Sequence, residues 1–101
     1  MIEVHQTKEF SSWLRRLRDA NAAARIVARI RRMEQGNPGD VRSVGSGVME
    51  MRIDYDPGYR VYYMQRGAMI VILSCAGHKR TQTRDIRRAQ AMARAIAEKQ
   101  E

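Results

Sequence analysis

The pentapeptide Gly36-Asn37-Pro38-Gly39-Asp40 divides the chain into two kinds of hydrophobic pattern. Proline fixes φ and lacks an N–H, and the glycines beside it are the residues freest to turn, so neither a helix nor a central strand can run through this segment. Before it the apolar residues recur at helical spacing. After it they alternate, and helical spacing returns only in the last stretch of the chain. A fold for this chain must therefore set a helical region ahead of most of its sheet.

Upstream, Phe10, Trp13, Leu14 and Leu17 follow i, i+3, i+4, i+7, with Thr7 as a cap and Arg15, Arg16 and Arg18 on the outer side. Asp19 or Asn21 punctuates this helix. A second stripe, Ala23, Ile26, Val27, Ile30 and Met33, predicts a helix over residues 22–34 whose outer side carries Arg25, Arg29, Arg31 and Arg32. Together they read as a helical hairpin. Ile2 and Val4 share one face of a short edge strand ahead of it.

Downstream, residues 41–44 predict a short strand and Gly45-Ser46-Gly47 a turn. In residues 48–54, Met49, Met51 and Ile53 alternate with Glu50, Arg52 and Asp54. Asp56-Pro57-Gly58 turns the chain into a strand over 59–66, Gly67 turns it again, and 69–75 is apolar enough to be central. Gly77 marks the exit. Thr81 or Thr83 caps a final helix to Ala97, with Ile86, Ala89, Met92, Ala93 and Ile96 as its stripe. The expected fold class is α/β in the α+β sense. It has the order β-α-α-β-β-β-β-α in one domain over residues 1–101, the helices lying against one face of a mainly antiparallel sheet.

Charge narrows the function. Nineteen Lys plus Arg against eleven Asp plus Glu give +8, and three of the nineteen are Lys, leaving sixteen Arg. Arginine forks match planar anions bidentately, so the bias favours a polyanionic or acidic partner. Cys75 has no cysteine to pair with, and alternates with Val71 and Leu73 as a small buried hydrophobe. His5 and His78, with scattered carboxylates, lack ligand spacing, so neither metal nor cofactor is expected. The apolar run Ala68-Met69-Ile70-Val71-Ile72-Leu73 is too short to cross a bilayer, and no signal peptide is evident, so a cytoplasmic protein without a membrane partner is expected. Phe10 and Trp13 fall on the buried stripe and read as core.

The strand alternation places Glu50 and Arg52 on one face, and Arg60 and Tyr62 on one face of the next strand. A hairpin turning near Pro57-Gly58 brings Arg52 opposite the Arg60 region, within about one residue. The helices need an apolar face, so this polar set is expected to look away from them. His78 and Lys79 emerge at the end of the last strand. Two Arg, one Lys, one His and one Tyr on a concave surface suit a phosphate backbone with a neighbouring base. The other reading is a solvated sheet face that happens to be charged.

In these stretches the chain resembles the RelE/ParE toxin superfamily, in particular its HigB-like addiction module killer branch. The matching pieces include Phe10-Ser11-Ser12-Trp13-Leu14, Arg25-Ile26-Val27-Ala28-Arg29-Ile30 and the Gly36–Asp40 pentapeptide. They continue through Val44-Gly45-Ser46-Gly47-Val48, Glu50-Met51-Arg52, Gly58-Tyr59-Arg60-Val61-Tyr62-Tyr63 and Gly77-His78-Lys79 to Gln82, Asp85, Ile86 and Ala89. The resemblance covers roughly residues 5–97. It implies a RelE-like fold, ribosome-dependent mRNA cleavage and a toxin restrained by a helix-turn-helix, HigA-like antitoxin. Operator DNA would then be met only through that antitoxin. It maps Arg52, Arg60 and Lys79 onto the family's basic functional positions.

Metal-free RNA cleavage by the 2′-hydroxyl needs a proton acceptor, charge stabilisation on the phosphorane, and a proton for the departing 5′-oxygen. Arg52 and Arg60 suit the second task and, protonated above pH 12, not the first. Lys79 is a charge stabiliser or an acid–base group, and His78 has the free pKa for either direction. Glu50 is either a base or the ion-pair partner of a neighbouring Arg. Tyr62 either stacks on a base or covers the sheet, and Arg80 and Arg84 are expected RNA contacts. Two other functions fit the sequence less fully: a ParE-like gyrase inhibitor without nuclease activity, and an inactive antitoxin-binding co-repressor.

Overall fold

The structure, a computed structural model, describes residues 1–99. Its elements are β1 (Glu3–Gln6), α1 (Lys8–Arg16), α2 (Ala20–Glu34), β2 (Val41–Ser43), β3 (Val48–Ile53), β4 (Tyr59–Arg66), β5 (Ile70–His78), a 3-10 turn (Lys79–Thr81) and α3 (Gln82–Lys99). The sheet order is β1-β5-β4-β3-β2. β1 runs parallel to β5, and the other pairs are antiparallel. This is the expected α+β class, with the helical hairpin ahead of the main sheet and one helix after it.

The caps fall where the side chains predict. Thr7 Oγ1 accepts from the Phe10 N–H at 3.1 Å and donates to the Ser74 carbonyl at 2.6 Å, so the cap also ties α1 to β5. Asp19 Oδ1 accepts from the N–H groups of Asn21 and Ala22, opening α2. Arg29 does not serve as an outward cation. Its guanidinium donates to the carbonyls of Pro38 (3.0 Å) and Arg52 (2.6 Å), latching the Gly36–Asp40 loop to β3. Burial and the charge of Arg32 lower its pKa.

The expectation that all helices share one face is corrected. Phe10 of α1 and Ala22, Ile26, Ile30 and Met33 of α2 pack with Met51, Ile53, Val61, Tyr63, Val71 and Leu73. Ala89 and Ala93 of α3 pack on the opposite face with Val48, Tyr62 and Cys75. The reason is composition: that second face carries too much apolar surface to be left to water, and the stripe of α3 covers it.

A bulge determines what α3 meets. Tyr62 pairs with Cys75 but Tyr63 with Leu73, so Ser74 is an extra residue in β5. It reverses the alternation, and Cys75 lies with Tyr62 beneath α3 instead of with Val71 and Leu73. There burial pushes its thiol pKa up to about 12. β5 ends one residue past Gly77, at His78, and Gly77 still pairs with Arg60 in the ladder. A Cβ there would collide with Asp85 Oδ2 and stand 2.8 Å from Thr81 Oγ1. Gly77→Ala is therefore expected to displace the Asp85 and Thr81 side chains and break their hydrogen bond at a cost of about 1–3 kcal/mol, read as a lower urea midpoint at unchanged m-value. An unchanged midpoint would show that the contact is soft.

Candidate phosphate-binding cleft

Arg52 and Arg60 are direct cross-strand partners in the β3–β4 ladder. Like charges placed opposite repel, and each is held by an acid. Asp40 Oδ1 accepts from Arg52 Nη2 at 3.0 Å, and that hydrogen bond with its charge raises the Arg52 pKa further. Arg60 Nε lies 3.6 Å from Glu50 Oε2, while its Nη1 donates to the Gly58 carbonyl at 3.1 Å. A cleft of about 330 Å³ opens here, its lining including Asp40, Arg52, Asp54, Gly58, Tyr59, Arg60 and Lys79. Gly58 sits at φ +90°, and a Cβ on it would stand 3.4 Å from Arg60 Nη1 and 3.6 Å from Lys79 Cβ. The positive φ is what calls for glycine here, and the turn it makes lies beside both side chains.

Of the residues singled out from sequence, Arg52, Arg60 and Lys79 share this cleft. The others lie elsewhere. Glu50 is 0% exposed and cannot serve as a base on an external substrate. Its carboxylate accepts from Arg42 Nε at 2.8 Å, Tyr62 Oη at 3.0 Å and Gln82 Nε2 at 3.0 Å. Burial works to raise its pKa, but the hydrogen bonds from Arg42, Gln82 and Tyr62 outweigh it, and the carboxyl is held below its ordinary value. A base needs a free lone pair and some proton affinity, and Glu50 has little of either.

Tyr62 is likewise corrected. At 0% exposure under α3 its ring has no face for a nucleobase, and burial together with the bond to Glu50 raises its pKa. His78 is half-buried outside the cleft lining, and its Nδ1 accepts from the Arg80 N–H at 3.3 Å, capping the 3-10 turn. Arg80 and Arg84 are exposed, neither lining this cleft.

Asp40, Asp54, Gly58 and Tyr59 also line the cleft, none of them singled out as a site residue from sequence. Asp40 reaches Arg52 because β2 pairs with β3, a contact no local pattern encodes. Among the described residues no three His, Cys, Asp or Glu side chains are grouped to hold a metal ion, and no helix is long and apolar enough to cross a membrane. The arrangement is chemically simple: three cations line one opening, and Asp40 beside Arg52 and Glu50 behind Arg60 offset the repulsion between the two arginines.

A family model described as phage derived protein Gp49-like (DUF891) matches residues 12–99. An uncharacterized protein of Haemophilus influenzae is 44% identical over 95 residues, covering 94% of this chain and 96% of that protein. No solved structure matches.

Proposed function

The chain belongs to the phage-derived Gp49-like family, a toxin-like family related to RelE, and on that footing we propose that it is the toxin of a type II toxin–antitoxin system that cleaves mRNA on the ribosome. The observation that carries this reading is the convergence of Arg52, Arg60 and Lys79, from β3, β4 and the turn after β5, on one cleft. A protein acting only by covering a partner has no need of cations focused on a single point. The finer placement in the HigB-like branch rests on the ordered motifs from Phe10 to Ala89.

In the proposed reaction the 2′-oxygen bonds to phosphorus while the bond to the 5′-oxygen breaks. A cyclic phosphate is left on one fragment and a hydroxyl on the other. Arg52 and Arg60 hold the charge that grows on the phosphorane oxygens. Lys79 hands a proton to the departing 5′-oxygen or shares in that charge. Asp54, exposed in the cleft and without an ion-pair partner among the described residues, takes the 2′-hydroxyl proton. Orientation of the message in the decoding site supplies much of the rate. The antitoxin is a helix-turn-helix protein that restrains this cytoplasmic toxin and reads the operator on its behalf.

Expression of the chain, followed by mapping of mRNA 5′ ends on ribosomes, tests this. Codon-phased ends within the reading frame are expected. Intact transcripts with failing supercoiling would replace the reading with gyrase inhibition. Intact transcripts with normal growth would leave a binding module.

A further inference from the structure

We propose that a second cleft, between α1 and α3 along the free edge of β5, seats one nucleotide of the RNA that crosses the cationic cleft, its base on Trp13 and its phosphate between Arg16 and Arg84. The inference rests on the RNA reading above. β1 pairs with β5 only from Ile70 to Leu73, so beyond Leu73 that edge of β5 has no strand beside it. Arg88 of α3 instead reaches Glu9 of α1, with Nε at 3.0 and 3.2 Å and Nη2 at 2.7 Å from its carboxylate, and this bidentate pair fixes the separation of the two helices. What remains is a cavity of about 280 Å³ whose floor is Cys75 and Ala76 and whose walls include Trp13, Arg16 and Arg84.

The charges here are not used up by the fold. Glu9 is engaged by Arg88, and Asp85 accepts from the Thr81 hydroxyl. Arg84 meets Asp85 only at 3.7 Å, with 78% of its side chain exposed. Arg16 has no ion pair among the described residues. One unpaired guanidinium and one loosely paired, largely exposed one thus stand beside an indole.

Trp13, expected as core, is only half-buried. Its ring meets Tyr59 in a T-shaped contact at 5.9 Å, and Tyr59 lines the cationic cleft. The two clefts therefore adjoin across this aromatic pair. A continuous strand held by its phosphate at Arg52 and Arg60 has a neighbouring nucleotide to place, and Tyr62, buried beneath α3, cannot receive its base. An aromatic face with flanking cations is the pattern that holds single-stranded nucleic acid. An acidic peptide would use the two arginines and leave the indole idle, which is why RNA is the favoured occupant.

Trp13 is the chain's single tryptophan, so its emission reports directly on this cleft. The experiment titrates the full chain with a short 2′-O-methyl RNA, which cannot be cleaved, following Trp13 emission, its quenching by iodide, and the anisotropy of a dye on the RNA. Emission is expected to fall along the anisotropy curve, with bound RNA shielding Trp13 from iodide. Arg16→Ala and Arg84→Ala, surface changes that leave the fold intact, should each weaken binding about tenfold. Each should also reduce the slope of log K against log salt by about 0.7. RNA that binds by anisotropy without touching Trp13 emission or iodide access overturns the second cleft and leaves the cationic one standing. Variants that bind as tightly as the parent chain do the same. If no RNA binds, the second cleft is overturned whether or not poly-glutamate quenches Trp13, while the mRNA reading stands or falls on the ribosome mapping above.

Discussion

Arg60→Ala is expected to lower mRNA cleavage on ribosomes by about 10²–10³-fold while leaving the protein folded. The Arg60 side chain is 14% exposed, its Nη1 fixed by the Gly58 carbonyl and its Nε beside Glu50. It is therefore aimed before substrate arrives, and a preorganised donor is worth most where charge develops in the transition state. Stability is affected less, because Glu50 keeps three other donors, Arg42, Tyr62 and Gln82, when Arg60 is removed. Lys79→Ala should give a loss of similar size with almost no change in melting temperature, since Lys79 is exposed. Primer extension on ribosome-bound transcripts, paired with thermal melts of the same preparations, separates the two effects. Cleavage by Arg60→Ala at the parent rate would remove the cationic cleft from the chemistry.

The parts of this site that were legible in the sequence are the parts fixed by short-range rules. The Asp56-Pro57-Gly58 turn sets the hairpin, the hairpin sets the register, and the register places Arg52 opposite Arg60. Period two then puts Glu50 and Tyr62 on the same face. What that face looks toward was not legible. It depends on the extra residue at Ser74, which reverses the phase of β5 and turns Cys75 and Gly77 toward α3. No residue near Ser74 announces a bulge, because its carbonyl is taken by Thr7, 67 positions away. With α3 laid over that face, two candidates chosen for chemistry, Glu50 and Tyr62, become buried supports of the residues that remain at the opening. Arg29 changes role for a similar reason: its partners lie on the loop and on β3, beyond the reach of any helical pattern.

Glu50→Ala is the substitution expected to cost the most stability, about 3 kcal/mol, or a fall of about 12–24 °C in melting temperature for a chain of this size. Removing the carboxylate strands the Tyr62 hydroxyl and the Gln82 amide, and takes away the charge facing Arg60 Nε. Tyr62 is wholly buried, so water cannot replace its lost acceptor. The figure sits at the low end for a broken buried pair because Arg42, with 49% of its side chain exposed, can return to solvent. Gln82 opens α3 directly after the turn bearing Lys79, so the same carboxylate holds two arms of the cleft, and activity should fall further than the lost folded fraction explains.

The acid limb provides an independent check. The folded pKa of Glu50 is depressed below its unfolded value, so its contribution is fully present above about pH 4.3 and is lost as pH falls through the lower, folded pKa. Glu50→Gln keeps the shape, lacks the titration, and should show a flatter decline of stability over that acid range while starting lower at pH 7. A parent-like acid limb in Glu50→Gln would mean that other carboxylates, not this one, carry the acid sensitivity. A parent-like melting temperature in Glu50→Ala would mean that α3 is held in place by its apolar stripe alone.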